Sequence, residues 1–258
     1  MSKMPKSIVQ PGGSAWLGYE DGNEKNYSAG VIVCPGGGYE IIAAREGMQV
    51  ARAFQKFGLR AFVLNYSVEP LPLGARPVEE LAWAVRTLRQ RSGEFGFPKN
   101  RVAVCGFSAG GHIAACLGVH WKNADIFPVV PGEDSSHRPD ALILSYPLIA
   151  PGYLANSANG GIMAKLLKDG LPADFFSADK HESRGTPPTG LWHTASDPLV
   201  PVRNSISFFE ALNKEGVPAE LHVYPRGDHA LGLAPQAPHI AGWLAQCVEW
   251  LKYPFVMA

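Results

Sequence analysis

The sequence predicts an α/β fold, an open and mostly parallel central sheet with helices packed on both faces. Two observations carry that prediction. Apolar runs rich in Val, Ile, Leu and Phe recur along the chain, and stretches of helical periodicity separate most of them. One run, "RVAVCGF" at 101–107, is continuously apolar, the pattern of a strand covered on both faces. With 258 residues, 46% of them hydrophobic, the chain can bury a sizeable core, and residues 1–258 are read as a single domain.

In chain order, "GVIVC" gives a strand at 30–34 that breaks at Pro35. Residues 46–57 place Val50, Ala53, Phe54 and Phe57 on one helical face, and Gly58 stops them. "RAFVLNYSV" at 60–68 is the next strand. The stretch "VEELAWAVRTLRQR" follows as an amphipathic helix, with Leu81, Val85 and Leu88 on its inner stripe and Pro77 at its start. After the 101–107 strand comes a helix of small residues, "AGGHIAACLG". "ALILSYPLI" at 141–149 and "TGLWHTA" at 189–195 read as strands, "SISFFEALNKEG" as a helix, "AELHVYP" as a strand and "IAGWLAQCVEWLK" as a closing helix. Residues at about 150–187 break this rhythm with Gly, Pro, Asn and Ser around short apolar clusters. A connection that long without a clear strand predicts a small cap or lid inserted in the domain.

Composition narrows the function. Twenty-three basic residues balance twenty-three acidic ones, so no global field draws the chain to nucleic acid or anionic lipid. No apolar run approaches the roughly 20 residues of a membrane span, and "MSKMPKSIVQPGG" has no apolar stretch of the secretory kind. Cys34, Cys105, Cys116 and Cys247 stand singly in apolar surroundings and read as buried free thiols. A cytoplasmic enzyme is the expectation.

Gly106-Phe107-Ser108-Ala109-Gly110 has the G-x-S-x-G spacing of a nucleophile elbow. Such a serine sits in a strained turn between strand and helix, where any side chain at the flanking glycines would collide with backbone. The helix that follows aims its N-terminal N–H groups at the same point. The alternative is a plain tight turn. Among eight histidines, His229 in "YPRGDHALG" lies on a loop just past a strand, with glycines on both sides, and is the candidate base. His112, one helical turn beyond Ser108, reads as a structural histidine, and His193 and His222 fall within strands. Asp197 in "HTASDPLVP" follows the preceding strand and is stiffened by Pro198 and Pro201. Two successive strand ends would bring Asp197 and His229 to one rim, whereas Asp228 adjoins His229 too closely to hold its far nitrogen.

"CPGGGYE" follows the 30–34 strand. A dinucleotide fingerprint would need glycine at Ile41, and no GK[ST] occurs, so a phosphate cradle fails. Bare glycines after a strand, upstream of an elbow serine, match an oxyanion-hole loop. The expected donors are the amides of Gly37 or Gly38 together with Ala109, each typically worth about 10²–10³ in rate.

Together these residues resemble the α/β-hydrolase superfamily, and within it the bacterial esterases related to acetyl-xylan esterases and hormone-sensitive-lipase-like carboxylesterases. The matching pieces are "PGGGY" at 35–39, "NYSVEP" at 65–70, "RVAVCGFSAGGHIAA" at 101–115, "SDPLVP" at 196–201 and "GDHALGL" at 227–233, in family order. The resemblance implies Ser108, Asp197 and His229 as a catalytic triad, with an oxyanion hole from the 36–38 loop and Ala109. Pro35 stands where the lipase-like enzymes carry the histidine of HGGG, which favours the acetylesterase-like branch. Only about thirty residues precede the first clear strand, so an N-terminal cap of the lipase-like kind is not expected. That leaves a shallow or self-made pocket, better suited to short acyl groups than to long lipid chains. Tyr39 and Leu231 are candidates to line it, with packing as the alternative use of each.

The expectation is therefore a serine carboxylesterase that hydrolyses short-chain, acetyl-type esters of sugars or other small alcohols through an acyl-enzyme. A prolyl-oligopeptidase-like peptidase is the alternative, and a non-catalytic binding protein on the same fold is a third. The expected partner is a small-molecule ester. No nucleic acid, membrane, metal or cofactor is expected, and assembly into a homo-oligomer is left open.

Overall fold

The structure is a computed structural model that describes residues 5–22, 26–127, 136–154, 161–168, 170–172, 174–181 and 183–257. Eight strands form one sheet: β1 (Lys6–Val9), β2 (Trp16–Tyr19), β3 (Gly30–Cys34), β4 (Arg60–Asn65), β5 (Val102–Phe107), β6 (Ala141–Ser145), β7 (Thr189–Thr194) and β8 (Ala219–Tyr224), in the order β1-β2-β4-β3-β5-β6-β7-β8. β1 pairs antiparallel with β2, and β2 antiparallel with β4; the other pairings are parallel. The helices are α1 (Met48–Lys56), α2 (Arg76–Gln90), α3 (Ser92–Phe95), α4 (Ala109–His120), α5 (Gly161–Leu166), α6 (Arg203–Lys214) and α7 (Trp243–Met257).

The alternation of side chains along the central strands builds two cores. Ile32, Val104, Leu142 and Leu144 face α2, α4 and α6, where Leu81, Ile113 and Phe208 meet them. Val31, Ala103, Ile143 and Trp192 face the opposite layer, against Phe54 of α1 and Trp243 and Leu251 of α7. The all-buried patterns of β3, β5, β6 and β7 follow from this double cover. All four cysteines are free and buried, and burial pushes each thiol up.

Three details differ from the sequence reading. Residues 6–19 contribute a short hairpin, β1–β2, ahead of the first strand the sequence makes obvious, in the register Lys6↔Tyr19 to Val9↔Trp16. The strands expected at 60–68 and 141–149 end earlier, at Asn65 and Ser145. Phe57 lies past the end of α1 and is 47% exposed, because Gly58 already turns the chain with φ +76°.

Between β6 and β7 the insertion expected at 150–187 carries short helical turns and α5, with no strand among its described residues; residues 155–160, 169, 173 and 182 lie outside them. It is held from below by α4. His112 donates its Nε2–H to the Phe176 carbonyl at 2.8 Å, and His120 donates to the Phe175 carbonyl at 2.8 Å while stacking on that ring at 4.1 Å. Burial pushes both imidazoles down to about 4. The folded state therefore binds fewer protons than the unfolded chain between the ordinary histidine value and pH 4. Stability from the pair is fully present above about pH 6.5 and falls as pH drops toward 4, with each pH unit of separation worth about 1.4 kcal/mol per histidine. Urea midpoints measured between pH 7 and pH 4.5 should decline accordingly. His120→Phe, which stacks but binds no proton, should flatten the decline by roughly half.

Candidate active site

The parallel strands point their carboxyl ends to one rim. β3 lies between β4 and β5, so the connection leaving β3 runs to one side and the chain returns on the other. Open α/β sheets bind ligands in the crevice at such a reversal. The loops after β3, β5, β7 and β8 carry Gly36–Gly38, Ser108, Asp197 and His229 onto this rim.

Ser108 turns the chain from β5 into α4 with φ 49° and ψ −116°, a conformation L-residues rarely adopt. Glycine is required around it by close approach. A Cβ on Gly106 would lie 2.5 Å from the Gly110 carbonyl, and one on Gly110 would lie 2.1 Å from the Cys34 carbonyl. The bare face of α4 thus seats directly on the end of β3.

From this turn the Ser108 hydroxyl donates to His229 Nε2 at 2.7 Å, and His229 Nδ1–H donates to Asp197 Oδ2 at 2.6 Å. The other carboxylate oxygen, Oδ1, accepts the amides of Leu199 and Val200, each at 2.9 Å. Burial pushes the Asp197 carboxyl up. Contacts with His193 and His229, reinforced by the Val200 amide, outweigh burial and hold it far below the usual carboxylate range. The loops of acid and histidine are tied together: Thr194 Oγ1 and Ser196 Oγ donate to the Gly227 carbonyl at 2.8 and 3.1 Å, and the Gly227 amide returns a bond to Ser196 Oγ.

In the loop after β3, Gly37 and Gly38 have φ 128° and 63°, and a Cβ on Gly37 would meet the Ile41 carbonyl at 2.0 Å. The Gly36 amide is engaged by the Glu46 carboxylate at 2.7 Å. The amides of Gly37, Gly38 and Ala109 donate to no acceptor among the described residues. Lys165 of α5 reaches over this loop, donating to the Gly38 carbonyl at 3.2 Å and pairing with Glu40.

Of the two pocket-lining candidates, Tyr39 is buried beside the loop. It is only 2% exposed and its hydroxyl donates to His112 Nδ1 at 2.6 Å. Leu231 is half-buried two residues after His229 and leans on the core layer of α1 and α7. A cavity of about 660 Å³ lies elsewhere, between the hairpin and the start of α1, lined by Trp16, Ile42, Met48 and Asn65 among others.

Sequence reasoning missed three side chains at this rim. His193 is fully buried, with Nε2 2.9 Å from the Val200 carbonyl and 3.4 Å from Asp197 Oδ2. Glu46 and Tyr146 are buried beside the Gly36 and His229 loops. The available signal was polar residues at positions where the periodicity demands burial.

The family described as "alpha/beta hydrolase fold" matches residues 31–233, the span from β3 through the His229 loop. The chain belongs to the α/β-hydrolase fold family. This hydrolase-fold chain is 35% identical over 221 residues to endo-1,4-beta-xylanase B of Butyrivibrio fibrisolvens, covering 83% of this chain and 34% of that protein. It is 30% identical over 231 residues to an acetylxylan esterase of Xylanibacter ruminicola, covering 86% of this chain and 45% of that one. The chain thus spans less than half the length of these curated relatives. Among solved structures, an acetyl ester-xyloside bifunctional hydrolase from Caldicellulosiruptor lactoaceticus superposes with TM-score 0.82 at 35% identity, over 95% of this chain and 91% of that one. A carboxylesterase from Lactobacillus plantarum shares the fold, with TM-score 0.83 at 21% identity over 98% of each. Among the described residues, no helix is long and apolar enough to cross a membrane, and no group of three or more His, Cys, Asp or Glu side chains is placed to hold an ion.

Proposed function

We propose that this chain is a serine carboxylesterase that removes short acyl groups, acetyl first among them, from sugars or other small alcohols. The unbroken hydrogen-bond chain Ser108–His229–Asp197 carries the reading. Ser108 Oγ attacks the ester carbonyl while His229 Nε2 takes its proton. The tetrahedral oxyanion is held by the amides of Ala109 and of Gly37 or Gly38. Collapse expels the alcohol, which receives the proton from His229, and leaves an acyl-serine. Water, deprotonated by the same imidazole, attacks that ester and frees the carboxylic acid and Ser108. Asp197 holds Nδ1–H throughout and offsets the charge of the imidazolium.

Support for the acyl class comes from the acetylxylan esterase and the acetyl ester-xyloside hydrolase among the relatives. Neither relative favours the peptidase alternative. The test is a p-nitrophenyl ester series from acetate to decanoate. Turnover should be highest on acetate and fall steadily with chain length. Equal turnover of decanoate would overturn the short-acyl reading, and cleavage of peptide anilides without any ester turnover would overturn the esterase itself.

A further inference from the structure

Glu46 is a carboxylate buried to 1% exposure that the acyl-transfer steps above do not use. Burying a charge is expensive unless its lone pairs are satisfied. Here they are satisfied by two loops at once. Oε2 accepts the Gly36 amide at 2.7 Å, and Oε1 accepts the Tyr146 hydroxyl at 2.7 Å. The Tyr146 oxygen in turn accepts the Gly232 amide at 2.8 Å, three residues after His229. Tyr146 itself is held at φ 36° directly after β6, with its ring edge-on to the His229 imidazole at 5.0 Å between centroids.

We propose that Glu46 and Tyr146 are positioning residues for the reaction at Ser108, clasping the Gly36–Gly38 loop to the His229 loop through the chain Gly36 N–H, Glu46 carboxylate, Tyr146 O–H, Gly232 N–H. The inference deepens the esterase reading and rests on it. Its physical content is the polarity of that chain. Both Glu46 oxygens receive donors, so the group acts as a carboxylate. Burial pushes its carboxyl up, against the pull of the Tyr146 hydroxyl and the Gly36 amide. A glutamine has one oxygen and one N–H₂: with its oxygen kept on the Gly36 amide it turns a donor on the Tyr146 oxygen, which already accepts the Gly232 amide, and the Tyr146 O–H loses its carboxylate acceptor.

The clasp also has no slack on the serine side. A Cβ on Gly36 would lie 2.8 Å from Glu46 Oε2 and 2.8 Å from Ser108 Cβ, so this backbone is wedged between the carboxylate and the nucleophile. If the wedge loosens, the Gly37 and Gly38 amides shift relative to the point where the oxyanion forms. The substrate's ground state would scarcely register that shift, whereas the transition state would.

The test uses the full chain with p-nitrophenyl acetate, comparing Glu46→Gln, Tyr146→Phe and the double variant with wild type. Each single change should lower kcat by about 10–100-fold with KM within about threefold of wild type. Because both residues belong to one chain of bonds, the double variant should be no more than about threefold worse than the poorer single one. Singles that keep kcat within twofold of wild type, or a double variant showing the product of the two losses, would overturn the proposal. If Glu46→Gln does not fold, Tyr146→Phe, which removes one oxygen, carries the kinetic test. Amide hydrogen exchange supplies an arm independent of turnover. In Ser108→Ala the Gly36 and Gly232 amides should be protected, and adding Tyr146→Phe should speed the exchange of both. Fast exchange before that change, or acceleration at Gly232 alone, would reject the clasp. Failure of wild type to turn over any ester would instead count against the esterase reading and leave the exchange result to judge the clasp.

Discussion

Ser108→Ala should lower kcat on p-nitrophenyl acetate by about 10⁵–10⁶ while leaving the fold intact. The size follows from the chemistry: without Oγ there is no covalent intermediate, and His229 Nε2 has no hydroxyl to deprotonate. The fold should survive because alanine removes a single oxygen from a half-buried position and leaves the α4 seat on β3 untouched. The remaining activity is set by whatever the oxyanion donors and the His229–Asp197 pair can extract from bulk water. Steady-state rates with an unchanged circular dichroism spectrum check this. Equal rates in wild type and variant would remove Ser108 from the mechanism and, with it, the esterase proposal.

Asp197→Asn should lower kcat by about 10⁴ with a smaller change in KM. The side chain keeps its shape, and its oxygen can still accept the Leu199 and Val200 amides that Oδ1 now receives. That orientation turns the N–H₂ toward His229 Nδ1. Two donors cannot share that 2.6 Å contact, so the imidazole must carry its proton on Nε2 instead. An Nε2–H cannot accept the Ser108 proton, and the nucleophile stays a neutral hydroxyl. ¹⁵N spectra of the imidazole should therefore show the proton moved from Nδ1 to Nε2 in the variant. A variant with wild-type kcat, or with the wild-type tautomer and a low kcat, would reject this account of Asp197.

Much of this arrangement was legible in the chain because its determinants are local. The apolar runs of β3, β5, β6 and β7 and the glycines at 106 and 110 are short-range signals of burial and close approach. The same holds for the loop positions of Asp197 and His229, one strand end apart. What escaped was non-local. β1 and β2 are four residues each, and β1 is mostly exposed, so no period develops and only the pairing of β2 with β4, and of β1 with β2, makes them strands. Glu46 sits in "AAREGMQV" and reads as an acidic residue at a helix start; its partners lie 10 and 100 residues away. Tyr146 reads as a strand residue because nothing local announces the turn at φ 36°. For His193 the sequence placed the ring in the sheet layer, which is right, but not its reach along the strand end to Asp197. The sequence leaves Tyr39 between pocket wall and packing, because its hydrogen-bond partner His112 lies 73 residues on.

The burial of all four native thiols has a practical consequence for following the insertion in solution. Maleimide or iodoacetamide dyes need an accessible thiolate, and here the cysteines are shielded and their thiols pushed up by burial. One cysteine introduced at the exposed Ala164 of α5 would be the single reactive handle on an otherwise unaltered background. Fluorescence from that handle would report, turnover by turnover, whether α5 lifts from the loop that Lys165 touches.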